Sequence, residues 1–378
     1  MLKKVCVALL VVALLAGACG PGRPKGEVIV YVAAPLSGFQ ANGGQTVLGG
    51  ARLKAQEINE AGGLLGYKVV VIGLDDESDS EVAVAVAEEV KAAIAQGKRV
   101  LGIIGHYNSG QAIAAMRIYK DLPLIVITPT ASAMELTQQG YTNFFRVNAN
   151  NATQARVDAE YLVKVLGAQR VALVYNDDPY GIDLGGLMAQ ELEALGARVV
   201  LNLQVAVEQS TFAEEVPRIK AAQPDVVFYG GYEVEAPYLV GELKDAGVEV
   251  DFLASDGAFL SATIDEAAGA AEGIYVSSFA PSPAQVVGED WIGAYQRVEC
   301  RNPDTYSING YSALAVLAEG AKKARNFDAD KVAQAIHQLH FDTPAAPIAY
   351  TADGELQTQP IYIFQVRQGT FVQVAATP

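Results

Sequence analysis

Several short stretches of the chain gather side chains that could hold a small charged molecule. Gly105-His106-Tyr107-Asn108-Ser109-Gly110 follows an apolar run ending at Ile104, and a helical pattern opens at Gln111. Ser109 is placed to cap that helix. Free N–H groups and the positive end of the helix dipole at such a spot suit a carboxylate. Thr128-Pro129-Thr130-Ala131-Ser132 follows the next apolar run, with Glu135 beyond it. Two readings compete there: Ser132 and Glu135 form a capping box, or the loop hydroxyls face a ligand. Later come Asn176-Asp177-Asp178-Pro179-Tyr180-Gly181, Gly230-Gly231-Tyr232 and Ser255-Asp256-Gly257. Asp256 offers a carboxylate to an ammonium group, or is only a turn residue beside Gly257. Tyr180 and Tyr232 offer flat walls with a polar rim. Together these groups suit the holding of a molecule that carries one charge of each sign.

The elements around these loops decide whether they can meet. Val28–Val32, Val69–Ile72, Leu101–Ile104 and Leu124–Ile127 are short, near-continuously apolar runs, as strands of a parallel sheet covered on both faces require. Amphipathic helices over 45–61, 80–96 and 111–121 separate them. The pattern restarts with strands at 171–174, 199–201, 226–229 and 252–254, and helices over 183–195, 213–222 and 235–246. The spacing predicts an α/β protein of two doubly wound parallel-sheet lobes, with right-handed crossovers. The remainder is a strand at 274–276, helices over 290–298, 311–325 and 331–339, and a closing hairpin around Gln368-Gly369. It is too small for a lobe of its own. The expected division is therefore 28–147 plus 277–345 for the first lobe and 148–276 plus 346–378 for the second, with several crossings forming a hinge. Ligands of open parallel sheets sit outside the carboxyl ends of the strands, and the polar loops above all lie there.

The chain opens with Met1-Leu2-Lys3-Lys4, an apolar run from Val5 to Leu15, and Ala16-Gly17-Ala18-Cys19. A basic start, a short apolar core and small residues make a signal segment of 1–19. The apolar run is too short to span a membrane as a helix. Cys19 directly after the small residues resembles the lipoprotein signal, which implies lipidation of Cys19; plain secretion with Cys19 as a bystander is the alternative. Residues 20–27, rich in proline and glycine, read as a tether. With Cys6 in the signal and Cys19 committed to lipid, Cys300 has no partner, so no disulfide framework exists. The net charge of −16 argues against nucleic acid or an anionic membrane surface as partner. With 51% of 378 residues apolar, the chain can build large cores, and its length favours two domains.

The order and spacing of Ala34-Pro35-Leu36-Ser37-Gly38, Asn59-Glu60-Ala61-Gly62-Gly63, Leu74-Asp75-Asp76, Ile104-Gly105-His106, Ile127-Thr128-Pro129-Thr130-Ala131-Ser132, Tyr229-Gly230-Gly231-Tyr232 and Ala271-Glu272-Gly273 carry a resemblance over nearly the whole mature chain. It resembles the type I periplasmic binding proteins, in the leucine/isoleucine/valine-binding branch that serves ABC transporters. The resemblance implies a Venus-flytrap molecule anchored in the cell envelope that closes on a branched-chain or other aliphatic amino acid and hands it to a membrane permease. It implies that Ser109, Ser132 and the backbone at Thr130 hold the α-carboxylate, that Asp256 meets the α-ammonium, and that Tyr180 and Tyr232 form the wall. Asp256 stands where glutamate is common, and Ser132 where threonine is. The first loop lacks the tyrosine that some relatives carry near Gly43, and Tyr107 is the candidate to fill that space. Polar amino acids, small amides and urea therefore stay open as ligands. His106 either lines the cleft or bonds its own loop.

No nucleophile elbow, glycine-rich phosphate loop or metal-ligand spacing accompanies these residues. His337 and His340 read as a solvated helix face, and Asp75-Asp76-Glu77 as a solvated loop. No cofactor, no metal and no catalytic residue is expected. A ligand-sensing receptor module is the remaining alternative for this fold, although neither a membrane-spanning helix nor a DNA-binding head is evident in the sequence.

Overall fold

The computed structural model describes residues 24–377. The signal segment and the lipidation at Cys19 lie outside the described residues, as does the start of the tether. The tether's last residues are already docked: Lys25 N–H donates to the Gly66 carbonyl at 2.8 Å, and Lys68 N–H to that of Gly26 at 2.9 Å.

The first lobe is a parallel sheet of β1 (Glu27–Ala34), β2 (Lys68–Asp75), β3 (Val100–Gly105), β4 (Ile125–Thr128) and β5 (Phe144–Arg146), in the order β2-β1-β3-β4-β5. Helices α1 (Ala41–Glu60), α2 (Ser80–Ala95), α3 (Ser109–Tyr119) and the short α4 (Glu135–Gln138) connect these strands. α5 (Asn151–Glu160) then leads into the second lobe. That lobe is built on β6 (Arg170–Asn176), β7 (Arg198–Val205), β8 (Val226–Gly230), β9 (Asp251–Ala254) and β10 (Tyr275–Ser278), with helices α6 (Pro179–Ala194), α7 (Glu215–Ala222), α8 (Ala236–Asp245) and α9 (Ser261–Asp265). The chain returns through α10 (Pro283–Val286), α11 (Glu289–Glu299), α12 (Thr305–Ala324) and α13 (Ala329–Ile336). It continues through the short pair β11 (Phe341–Asp342) and β12 (Pro347–Ile348), then closes with the hairpin β13 (Tyr362–Arg367) and β14 (Thr370–Ala376). The second sheet runs β14-β13-β10-β9-β8-β6-β7, parallel except for the hairpin.

The two-lobe α/β architecture expected from the strand pattern is present, and the returning segment packs α12 on the first lobe and pairs β13 with β10 in the second. Its joints sit at different residues. Ser277 and Ser278 still pair in β10 against β13. Ala346, Ile348, Tyr350 and Leu356 are buried in the first lobe's core, so the chain leaves that lobe later than residue 345. Tyr350 is held there because its hydroxyl donates to the Arg146 carbonyl at 2.9 Å.

Local chemistry sets the helix starts. Asp79 accepts from the N–H groups of Glu81 and Val82, Asp178 from that of Tyr180 with Pro179 in the first turn, and Asp304 forms a capping box with Ser307, each satisfying donors that the helix itself cannot. In both sheets the order reverses beside the first strand of the lobe, between β1 and β3 and between β6 and β8. Crevices open at such switch points, and the loops after β3 and β8 face each other there.

α1 and α12 cross close together over the first sheet because glycines stand at the crossing. A Cβ on Gly310 would lie 2.1 Å from the Val47 carbonyl oxygen, and one on Gly50 1.9 Å from that of Ser307. Since α12 also carries Tyr306 to the cleft, this crossing fixes part of the site. Gly310→Ala is expected to push the helices apart and lower the unfolding free energy by about 1–3 kcal/mol, the usual cost of overpacking; equilibrium urea denaturation reads it, and a wild-type midpoint would contradict it.

Candidate functional site

A cavity lies between the lobes. The first lobe lines it with Tyr107, Asn108, Ser109, Thr130, Ala131 and Ser132, the second with Tyr180, Tyr232, Asp256 and Gly257, and Tyr306 closes it from α12. The structure thus brings together seven of the sequence-derived candidates: Tyr107, Ser109, Thr130, Ser132, Tyr180, Tyr232 and Asp256.

At one pole, Ser109 opens α3, but it is not the cap. Asn108 is the cap residue, in extended backbone. The Ser109 Oγ instead accepts from the N–H groups of Ser132 and Ala133, both at 3.1 Å, tying the loops after β3 and β4 together. With its lone pairs so used, its hydroxyl hydrogen is left to donate. The capping box offered as one reading of Ser132 does not form: α4 begins after Met134 with no side-chain cap, and Ser132 faces the cavity. The Thr130 hydroxyl donates to the Tyr107 carbonyl at 2.5 Å, so this side chain braces the loop.

At the other pole, Asp256 sits in a single 3-10 turn after β9. Its Oδ1 accepts from the Tyr180 hydroxyl at 2.6 Å. Burial pushes its carboxyl up to about 7, against the opposing pull of Tyr180 and Gln154. Tyr232 stacks on Tyr180 with ring centroids 5.7 Å apart and planes 12° from parallel. Tyr306 donates to the Asp256 carbonyl at 2.6 Å and meets the Tyr107 ring edge-on, 5.3 Å away. A Cβ on Gly43 would stand 2.3 Å from the Tyr107 hydroxyl, so Tyr107 occupies the space beside Gly43.

His106 turns away from the cavity. Its Nδ1 lies 2.6 Å from Asp76 Oδ2 and its Nε2 3.3 Å from the Tyr119 hydroxyl, because a buried imidazole needs partners and the first lobe's interior supplies both. Asp75 uses its carboxylate on the N–H groups of Leu36 and Glu77. His337 is half-buried against the Phe145 ring, 5.0 Å between centroids, not fully solvated, whereas His340 is exposed. Among the described residues no cluster of His, Cys, Asp or Glu could hold a metal ion. Cys300 is exposed at the left-handed end of α11.

Sequence reasoning missed Asn108, Tyr306 and Glu233. Asn108 donates to Gln40 Oε1 at 2.6 Å. Glu233 follows Tyr232 directly and is buried, and neither carboxylate oxygen makes a close hydrogen bond. Burial pushes its carboxyl up to about 8, reinforced by the charge of Glu235, while Gln40 from the first lobe opposes the shift. The only available signal was the position next to Tyr232; nothing in the local pattern marks this acid as buried.

The lobes also touch directly. The Met134 N–H donates to Asp183 Oδ2 at 3.0 Å, so the arrangement is a closed one.

A family model described as periplasmic binding protein matches residues 30–370. A relative from Brucella abortus strain 2308, named Leu/Ile/Val-binding protein homolog 1, is 30% identical over 346 residues, covering 91% of each chain. The solved structure of an ABC transporter substrate-binding protein from Desulfitobacterium hafniense in complex with Leu is 25% identical, with a TM-score of 0.77 over 92% of this chain and 100% of the other. A leucine-binding protein from Thermotoga maritima superposes with a TM-score of 0.83 at 23% identity, over 92% of this chain and 98% of the other.

The raised carboxyl of Glu233 has a consequence for stability. A carboxyl that ionises at about 4.5 unfolded and about 8 folded contributes stability fully below the first value and loses it as pH rises through the second. The unfolding free energy of the ligand-free protein is therefore expected to fall between pH 5 and pH 9. Glu233→Gln, neutral at every pH, should fall less steeply and exceed the wild type at pH 9. Urea denaturation at both pH values decides it; parallel declines in the two proteins would refute the assignment.

Proposed function

The chain belongs to the periplasmic binding protein family, and from that footing we propose that it is the extracytoplasmic substrate-binding component of an ABC importer. It closes on a branched-chain or other aliphatic amino acid and delivers it to the permease without chemistry. Lipidation of Cys19 anchors it at the membrane, on the periplasmic or extracellular face; the sequence around Cys19 supports this. The observation that carries the reading is the opposition of Ser109 and Ser132 on one lobe to Asp256 on the other across one interlobe cavity. The names of the Brucella and Desulfitobacterium proteins agree with it.

In this reading each group has a task. Ser109 and Ser132 hydroxyls donate to the ligand's carboxylate. Asp256, oriented by Tyr180, accepts from the ammonium. Tyr107, Tyr306 and the stacked Tyr180 and Tyr232 exclude water and wall the side chain. Only the closed form supplies both poles at once, so ligand shifts the lobe equilibrium toward closure. Micromolar affinity needs about −8 kcal/mol. Charge-assisted hydrogen bonds worth roughly 1.5–3 kcal/mol each, with burial of the ligand side chain, reach it. A small polar amino acid is the second reading, favoured by Asn108 in the cavity lining.

A thermal-shift screen of the proteinogenic amino acids tests the function, with saturable stabilisation by aliphatic ones expected and silence across the panel contradicting it. Asp256→Ala should weaken binding by roughly 2–5 kcal/mol, because it strands a desolvated ammonium; calorimetric titration at pH 8 reads this, and wild-type affinity in the variant would remove Asp256 from its role. The pH dependence has a definite sign. Burial keeps the proton on Asp256 up to about 7, and Asp256 must lose it to meet an ammonium. Affinity should therefore decline by up to about tenfold per unit as pH falls below 7, and the decline should be absent in Asp256→Asn.

A further inference from the structure

Behind the carboxylate end of the cavity lies a fully buried cation. Arg146, the last residue of β5, donates through Nη1 to the Ala131 carbonyl, through Nη2 to the Ala133 carbonyl at 2.5 Å, and through Nε to Glu355 Oε1 at 3.0 Å. The carbonyl and N–H of a trans peptide point in opposite directions. With the carbonyls of 131 and 133 drawn toward the guanidinium, the N–H groups of Ser132 and Met134 face the other way. There the first meets Ser109 Oγ at 3.1 Å and the second meets Asp183 of the other lobe at 3.0 Å.

We propose that Arg146 is the positioning residue of the carboxylate pole, fixing and polarising the Ala131–Met134 backbone so that the Ser132 N–H holds Ser109 Oγ and the Ser109 hydroxyl hydrogen presents positive character to the ligand, with Glu355 setting how much of that charge is felt. The proposal rests on the amino-acid reading above. A planar fork is needed to hold two carbonyls at once, and lysine supplies only a point donor. Glu355 lies in the last segment before the chain crosses to β13, where Gly354 accepts from the Arg146 N–H at 3.2 Å. Any closure that moves this crossing is therefore felt by the same guanidinium. Thr137 donates to the shared Oε1 of Glu355 at 2.7 Å, which keeps the carboxylate in place.

Leucine and leucinamide, which share a side chain and carry an anionic and a neutral carboxyl end respectively, separate a positioning role from mere packing. In Arg146→Lys the leucinamide-to-leucine ratio of dissociation constants should fall by about fivefold or more, because the oriented dipoles favouring the anion are lost. In Glu355→Gln, where the cation loses its counter-charge, the ratio should rise. Equal weakening of both ligands in both variants would overturn the proposal. Hydrogen exchange in the ligand-free protein gives an independent arm. Arg146→Lys should speed exchange of the Ser132 and Met134 amides by about tenfold or more while β8 amides keep wild-type rates; unchanged rates would overturn the proposal whatever the ligand is. A wild-type protein with normal exchange that binds neither compound would instead sink the amino-acid reading.

Discussion

A carboxylate and an ammonium removed from water must each be met by a fixed partner, or the desolvation cost defeats binding. One rigid wall cannot surround both ends and still admit the molecule. Partners divided between two bodies can. On the proposed reading this protein divides them, with hydroxyl donors of Ser109 and Ser132 on one lobe and the acid Asp256 on the other. Parallel sheets suit the task because their carboxyl ends form polar loops at the switch points while the strands stay apolar. The close crossing of α1 and α12 then brings Tyr306 to the seam, where it holds the Asp256 backbone.

The site is made of buried polar groups in tension. Asp256 is steadied by Tyr180, but burial still favours its neutral form. Glu233 is more extreme, with neither oxygen in a close hydrogen bond. Such groups cost stability, and cores of this size absorb the cost. The hinge side shows the opposite economy. The carbonyls of Thr130, Ala131, Ser132 and Ala133 are all taken, by Asn148, Arg146 and the Asn151 N–H, and the N–H groups of Ser132 and Ala133 hold Ser109 Oγ, which leaves the Ser109 and Ser132 hydroxyls to turn to a ligand.

Much of this was legible from residues alone. Val28–Val32 and Val171–Val174 are apolar throughout because both faces of each sheet are covered, and that pattern gave the lobes and the strand-end loops. The misses share a cause. β5 is three residues, Phe-Phe-Arg, too short to show a period, and α5 buries Asn151, Gln154 and Asp158, so it lacks the apolar stripe that marks a helix. Tyr306 was missed because α12 begins at Thr305, a full turn before the apolar pattern does. The cap assigned to Ser109 belongs to Asn108, one residue earlier, and the freed hydroxyl joins two loops instead. His106 follows a strand end like the true site residues, yet Asp76 and Tyr119 draw it inward, a tertiary effect that no local pattern carries.

The most direct test of the two-pole account is a crystal structure of the protein grown with L-leucine. The account requires the carboxylate within hydrogen-bond distance of Ser109 and Ser132, and the ammonium on Asp256. A ligand bound in the reverse sense, or one seated in the surface hollow beside Lys244 and Phe252 with the interlobe cavity empty, would contradict it.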